Sequence, residues 1–192
     1  MVLPLGLALL GPRSAAADEP RFASDGLLVG LDVGSGAGIF VGWDADFYFD
    51  DQRLVSLGPA VGFTSPAAGA RPGMSQDYRL TADLRLNVAL FPNEIYRPHV
   101  LLGVGASFTR LAEDTIDDVA VDGAGGAVVG SQLLPGENQF AGLAVFGFGV
   151  DLFLRDSAVA LTGTFYGGYQ LGASERQPDV FLVLAVGARL GY

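Results

Sequence analysis

The chain has no cysteine, no lysine and a single histidine. Without cysteine there is no disulfide framework, no thiolate nucleophile and no zinc–thiolate site. With His99 as the sole imidazole and no HExxH motif, the common zinc arrangements are excluded as well. All 11 basic residues are Arg, set against 21 acidic residues for a net charge of −10. That balance argues against nucleic acid as a partner. A long apolar run is also missing. The longest uncharged stretch, residues 157–174, is broken by Thr162, Gly163, Thr164, Gly167, Gly168 and Gln170, so no segment reads as a membrane-crossing helix.

Yet half of the residues are hydrophobic. High hydrophobicity without a spanning helix is what a membrane β-barrel produces, because its apolar surface is spread over alternate residues of many strands. Glycine contributes 28 of the 192 residues, with neither a collagen period nor a low-complexity tract to account for it. The length fits one domain. At the N-terminus an apolar run from Met1 to Leu10 leads into Ala15-Ala16-Ala17-Asp18, the small-residue pattern of a signal-peptidase site. Residues 1–17 are therefore expected to be an export signal cleaved after Ala17, although the usual positive n-region is missing; a buried N-terminal strand is the other reading. Residues 18–25 read as a polar lead-in and 26–192 as the barrel.

Strict alternation is clearest over residues 77–91. One face carries Tyr78, Leu80, Ala82, Leu84, Leu86, Val88 and Leu90; the other carries Asp77, Arg79, Thr81, Asp83, Arg85, Asn87 and Ala89. This period of two belongs to a strand with one apolar face, and its length suffices to cross a bilayer at a tilt. Similar alternation predicts seven further strands at 26–34, 39–49, 54–64, 99–108, 139–153, 158–169 and 179–192. The connections alternate too. Short turns at 50–53, 92–98 and 154–157 face one side, and loops at 35–38, 65–76, 109–138 and 170–178 face the other, the pattern of short periplasmic turns and longer external loops. Aromatics gather at strand ends: Phe47, Phe49, Phe91, Tyr96, Phe153 and Tyr192 at the turn side, Phe63, Tyr78, Phe108, Phe140 and Tyr169 at the loop side. Trp43, in mid-strand, fits neither row.

The segment Tyr96-Arg97-Pro98-His99-Val100-Leu101-Leu102-Gly103-Val104-Gly105 and the terminal Val186-Gly187-Ala188-Arg189-Leu190-Gly191-Tyr192 resemble strands of small bacterial outer-membrane β-barrels of the OmpA-like and OmpX-like type. The resemblance implies an all-β, transmembrane, antiparallel up-and-down barrel of eight strands in the bacterial outer membrane. It implies contact with outer-membrane lipid and lipopolysaccharide, and insertion by the barrel assembly machinery with Tyr192 as the terminal assembly signal, where the family prefers Phe. Barrels that deacylate lipid A pair a His with a Ser two residues on. Here His99 is followed by Val100 and Leu101, and Ser107 is far along the same strand face, so that dyad is absent. His99 reads instead as a strand-start residue near the periplasmic rim.

By strand parity Asp32, Asp44, Asp46, Asp83 and Asp151 point into the lumen together with Arg79, Arg85 and Arg189. Eight strands leave room for side chains but not for an aqueous channel, and buried charges persist only when paired. These eight residues are therefore expected to form an internal ion-pair network with a structural role; a proton or ion path is the functional alternative. The 109–138 loop holds Glu113, Asp114, Asp117, Asp118, Asp122 and Glu137 against Arg110. Asp114, Asp117, Asp118 and Asp122 are the candidate calcium ligands, but they lack EF-hand spacing, and a solvated acidic loop is the preferred reading. Val119-Ala120-Val121 and Ala127-Val128-Val129 around a Gly-rich tip suggest a hairpin standing above the membrane. The expected function is that of a monomeric structural or surface-interaction protein acting through external loops on an unidentified extracellular partner, with no catalysis and no cofactor. The alternatives are a lipid-modifying barrel enzyme and a soluble lipocalin-like binder.

Overall fold

The computed structural model describes residues 23–34, 36–50, 52–65, 75–91, 95–121, 127–154 and 158–191. The expected export signal (1–17), most of the lead-in and Tyr192 lie outside them. The strands are β1 (Ala23–Val33), β2 (Ala37–Tyr48), β3 (Val55–Thr64), β4 (Gln76–Ala89), β5 (Tyr96–Leu111), β6 (Asp114–Val121), β7 (Ala127–Leu134), β8 (Glu137–Phe153), β9 (Val159–Leu171) and β10 (Val180–Leu190). Eight of them close into an antiparallel barrel in the order β1-β2-β3-β4-β5-β8-β9-β10, with β10 pairing back to β1, while β6 and β7 form a separate two-stranded sheet. Closure leaves no strand edge open in the wall. The connections at one end of the barrel, the turn end, are all short. At the other, the loop end, the connections are longer except for the brief one between β1 and β2.

Period-two alternation becomes inside and outside. On β1, Leu27, Val29, Leu31 and Val33 are exposed on the outer wall, whereas Ser24, Leu28 and Asp32 are buried in the lumen. On β10, Val180, Leu182, Leu184 and Val186 face out, and Phe181, Val183, Ala185 and Arg189 face in. The outer wall thus displays large apolar side chains on every barrel strand, with Phe140 76% exposed and Val104 68% exposed. A surface of this kind cannot be tolerated in water and calls for a hydrocarbon surround.

Several strand boundaries differ from the sequence expectation. Strand β1 begins at Ala23, so Ala23 to Asp25 belong to the wall and not to a polar lead-in. In β4, which starts at Gln76, a register irregularity lies between Gln76 and Tyr78. It shifts the parity there: Gln76 is buried and Asp77 is exposed, although simple alternation puts Asp77 inside. Strand β5 runs on to Leu111 and β8 begins at Glu137, so most of the expected 109–138 loop is strand and hairpin. Strand β9 extends to Leu171, two residues beyond its expected end.

The inward glycines make room for charged neighbours. A Cβ on Gly26 would sit 2.8 Å from Asp44 Oδ1 and 2.9 Å from Arg189 Cγ, and one on Gly149 would sit 2.5 Å from His99 Nε2. All three distances are far inside van der Waals contact, so these two positions keep the backbone bare to admit the polar side chains opposite.

Candidate functional site

The lumen carries a polar tier at each end, interleaved with an apolar cluster of Leu28, Phe40, Leu101, Leu143, Val145, Tyr166, Phe181, Val183 and Ala185. The Phe40 and Tyr166 rings meet edge-on at 6.1 Å between centroids. The eight charged residues expected to form one network fall into three ion-paired groups.

At the turn end, Arg189 gathers three carboxylates. It donates to Asp44 Oδ2 at 2.6 Å and to Asp46 Oδ2, and its Nε lies 3.6 Å from Asp151 Oδ1. Asp46 Oδ1 also accepts from Ser56 Oγ at 2.8 Å and from Asn87 Nδ2 at 2.6 Å. His99 Nδ1 lies 3.8 Å from Asp151 Oδ2. His99 lies close to the start of β5, opposite the last residue of β4, and so near the turn-end rim as expected, with its side chain buried in this tier. A water-sized cavity of about 20 Å³ adjoins Asp46, Ser56, Asn87, His99 and Asp151. Nearer the middle, Asp83 forms a two-pronged pair with Arg85, whose Nε and Nη2 donate at 2.6 and 3.1 Å. The Arg85 guanidinium lies 4.5 Å from the centre of the Tyr166 ring.

At the loop end, Arg79 donates to Asp32 Oδ2, which also accepts from Thr64 Oγ1 at 2.6 Å. The Arg79 guanidinium rests 3.6 Å from the centroid of Phe181. The rest of this tier is neutral. Ser107 Oγ donates to Gln170 Oε1 at 2.6 Å, and Gln177 donates to the same oxygen and to Thr109 Oγ1. Gln177 comes from the β9–β10 loop and is buried inside the barrel mouth. The loop is fastened over that mouth by Arg176, which donates to Pro135 O at 2.7 Å and Ala112 O at 3.2 Å.

Sequence reasoning missed His99, Ser56 and Asn87 as members of these tiers, although strand parity places each of them inward, and missed Gln170 because β9 runs past its expected end. Nothing in the sequence marked Gln177, because a loop residue has no period to read. Ser107 and His99 are brought to opposite ends of the lumen, so no Ser–His pair forms between them.

Outside the barrel, β6 and β7 continue the β5–β8 hairpin beyond the wall, in register from Asp114↔Leu134 to Val121↔Ala127. Of the candidate calcium ligands, Asp114 accepts from Ser75 Oγ at 3.0 Å and from the Thr115 N–H at 2.9 Å. The side chains of Asp117 and Asp118, and the whole of Asp122, lie outside the described residues. Among the described residues no cluster of three or more His, Cys, Asp or Glu is placed to hold a metal ion. An aromatic row runs round the wall below the loop end, with ring centroids 6.2 Å apart for Phe63–Tyr78, 6.0 Å for Tyr78–Phe108 and 4.7 Å for Phe108–Phe140. At the turn end Phe91 meets Tyr96 at 5.9 Å.

No protein-family model matches the chain, and no curated protein sequence does. Solved structures do. Neisserial surface protein A superposes with a TM-score of 0.59 at 11% identity, covering 91% of this chain and 98% of that one. A major outer membrane protein from Thermus thermophilus gives 0.54 at 13% identity, covering 88% and 98%. The N-terminal β-barrel domain of Pseudomonas aeruginosa OprF gives 0.50 at 12% identity, covering 91% and 100%. Identities this low carry the architecture and nothing about activity. By its closed eight-stranded wall and near-complete coverage of these structures, the chain has the fold of the small eight-stranded outer-membrane β-barrels.

Proposed function

We propose that the protein resides in the bacterial outer membrane and works as a surface-interaction protein through its loop end, without catalysing a reaction. The observation that carries this reading is the contrast between the two ends. The turn end is trimmed to short connections, whereas the loop end projects a hairpin in which, among the described residues, β6 and β7 pair only with each other. The outer edges of that hairpin present backbone donors and acceptors, the usual means by which a sheet recruits another chain. The apolar outer wall supports the membrane location.

Two alternatives have less support. A lipocalin-like binder needs an apolar cup around its ligand; here the large apolar residues line the outside and the lumen is packed. A lipid-modifying enzyme needs its nucleophile or base open to the lipid; His99 and Ser107 are both buried in the lumen.

The test has two parts. Fractionated cells should hold the protein in the outer membrane, with a band that shifts on heating in a cold-loaded detergent gel. Cells carrying a version in which a short Gly-Ser linker replaces residues 114–134 should keep that band and lose adhesion to protein-coated surfaces. Equal adhesion with and without the hairpin would remove the proposed role.

A further inference from the structure

The protruding hairpin is fixed at its foot and has two unlike edges. Both of its strands break at the same height: β5 ends at Leu111 and β6 begins at Asp114, while β7 ends at Leu134 and β8 begins at Glu137. Neighbouring loops brace both breaks. On the β6 side the Ala112 N–H donates to Ser75 O at 2.9 Å, and Ser75 Oγ donates to Asp114 Oδ2. On the β7 side Arg176 reaches in from the β9–β10 loop and donates to Pro135 O, and also to Ala112 O across the foot. A foot tied from both flanks presents the strands above it in a set direction, so less ordering remains to be done when a partner strand docks.

The edges differ in charge. Strand β6 carries Asp114, Asp117 and Asp118, whereas β7 carries no charged residue, and none occurs anywhere from Gly123 to Gly136. Charged side chains are a usual guard against edge-to-edge pairing. The β6 edge has them; the β7 edge does not. Among the described residues β7 pairs with β6 alone, and a two-stranded ribbon is marginal in water, where stability calls for further strands. The β7 edge is thus an open, unguarded strand in need of a neighbour.

We propose that this neighbour is the β7 strand of a second copy of the chain, standing on a facing membrane. The proposal rests on the surface-interaction reading of the loop end and names its partner. Charge selects how two copies can pair. Two β6 edges would bring aspartates together, and like charges across a strand pair are destabilising; β6 against β7 would offer the aspartates no cation. Two β7 edges bring together only uncharged residues and leave the aspartates on the outer rims. The sheet then runs β6-β7-β7-β6, and each hairpin gains the strands it lacks. Strand direction places the copies. Every β7 runs from the hairpin tip back toward its own membrane, so upright copies in one membrane would align in parallel, and copies on facing membranes align antiparallel. The antiparallel ladder is the more stable per residue. Centred on each other, the strands set Val129 of one copy opposite Gln132 of the other.

The full protein in phosphatidylcholine vesicles should cluster those vesicles, as followed by light scattering, with a chelator present so that no divalent ion bridges the aspartates. Val129→Asp with Gln132→Asp sets like charges opposite each other in the centred register and should slow clustering at least about tenfold. Within the hairpin these positions pair with Val119 and Ile116, so no new charge stands directly across from a β6 aspartate. Val129→Lys with Gln132→Lys should be slowed equally by itself, and mixing the lysine vesicles with the aspartate vesicles should restore clustering. That recovery requires β7 of one copy against β7 of another, which a misfolded hairpin could not give. Wild-type vesicles that stay dispersed would overturn the proposal, as would variants that cluster like the wild type or a mixture that fails to recover. Adhesion of cells to protein-coated surfaces separates the two readings. If it still depends on residues 114–134 while wild-type vesicles stay dispersed, the hairpin has a foreign partner and the second-copy proposal alone fails; if neither occurs, the surface-interaction reading fails with it.

Discussion

The two polar tiers of the lumen solve the problem of buried charge in opposite ways. At the turn end one guanidinium, Arg189, serves Asp44, Asp46 and Asp151. At the loop end Arg79 serves Asp32 alone, and the remaining bonds are made by hydroxyls and amides. A charge buried away from water costs several kcal/mol unless it is compensated. The turn-end tier is therefore a knot that depends on one residue, whereas the loop-end tier is a set of separable pairs.

Removing the hub should have the largest effect. Arg189→Met leaves three buried carboxylates without their shared cation, and should cost at least about 3–5 kcal/mol, the usual range for stripping one partner from a buried pair. In a urea titration followed by the heat-shifted gel band, this variant should fail to reach the folded position or lose it at far lower urea. A midpoint equal to that of the wild type would mean that the turn-end carboxylates do not depend on Arg189.

Arg79→Met should cost less, about 3 kcal/mol, because a single carboxylate is stranded and Thr64 still donates to it. The sharper comparison uses double variants. Arg79→Met with Asp32→Leu removes the whole pair and should return stability to within about 1–2 kcal/mol of the wild type. Arg189→Met with Asp46→Leu should not, since Asp44 and Asp151 remain. If both doubles recover equally, the two tiers are built alike and the contrast fails.

A smaller effect is expected at the mouth. Gln177→Ala removes donors to Gln170 and Thr109, and should cost about 1 kcal/mol. Its more specific consequence is local: loop 172–179 should exchange its amide hydrogens faster while the barrel strands keep their protection. Unchanged exchange in that loop would show that its other bonds, from Arg176 to Pro135 and Ala112 and from Gln170 to Pro178, hold it without Gln177.

Much of this was legible in the sequence because a barrel wall has the simplest of periods. Alternation put Asp32, Asp44, Asp46, Arg79, Asp83, Arg85, Asp151 and Arg189 on the inward face, and all are buried in the structure. Alternation fails where the backbone breaks step, as at the irregularity between Gln76 and Tyr78 that turns Asp77 outward. It also carries no information about height within the lumen. Parity alone makes the inward charges look like one network; their division into the Arg189, Arg85 and Arg79 groups follows from strand register and barrel closure, which parity does not carry. Gln177 was invisible for a third reason, since its position depends on a loop folding back into the mouth.

The turn end offers the mildest test, in the connection between β2 and β3. Burial by itself would raise the Asp50 carboxyl, but the N–H groups of Leu54 and Val55 and the charge of Arg97 outweigh it, so its pKa lies below the ordinary carboxylate range. A carboxyl with a lowered folded pKa adds stability above its unfolded value of about 4 and gives it up as the pH falls through the folded value. Asp50 is half-buried in a surface turn, so screening by solvent keeps the contribution small. Asp50→Asn keeps an acceptor for the two N–H groups and removes the charge. Its urea midpoint should sit slightly below that of the wild type at about pH 7, and the gap should narrow as the pH falls below about 4 and close once the carboxyl is protonated in the folded protein. A gap that persists at low pH would assign the loss to altered hydrogen bonding. No gap at neutral pH would mean that this turn, unlike the lumen above it, draws no stability from charge.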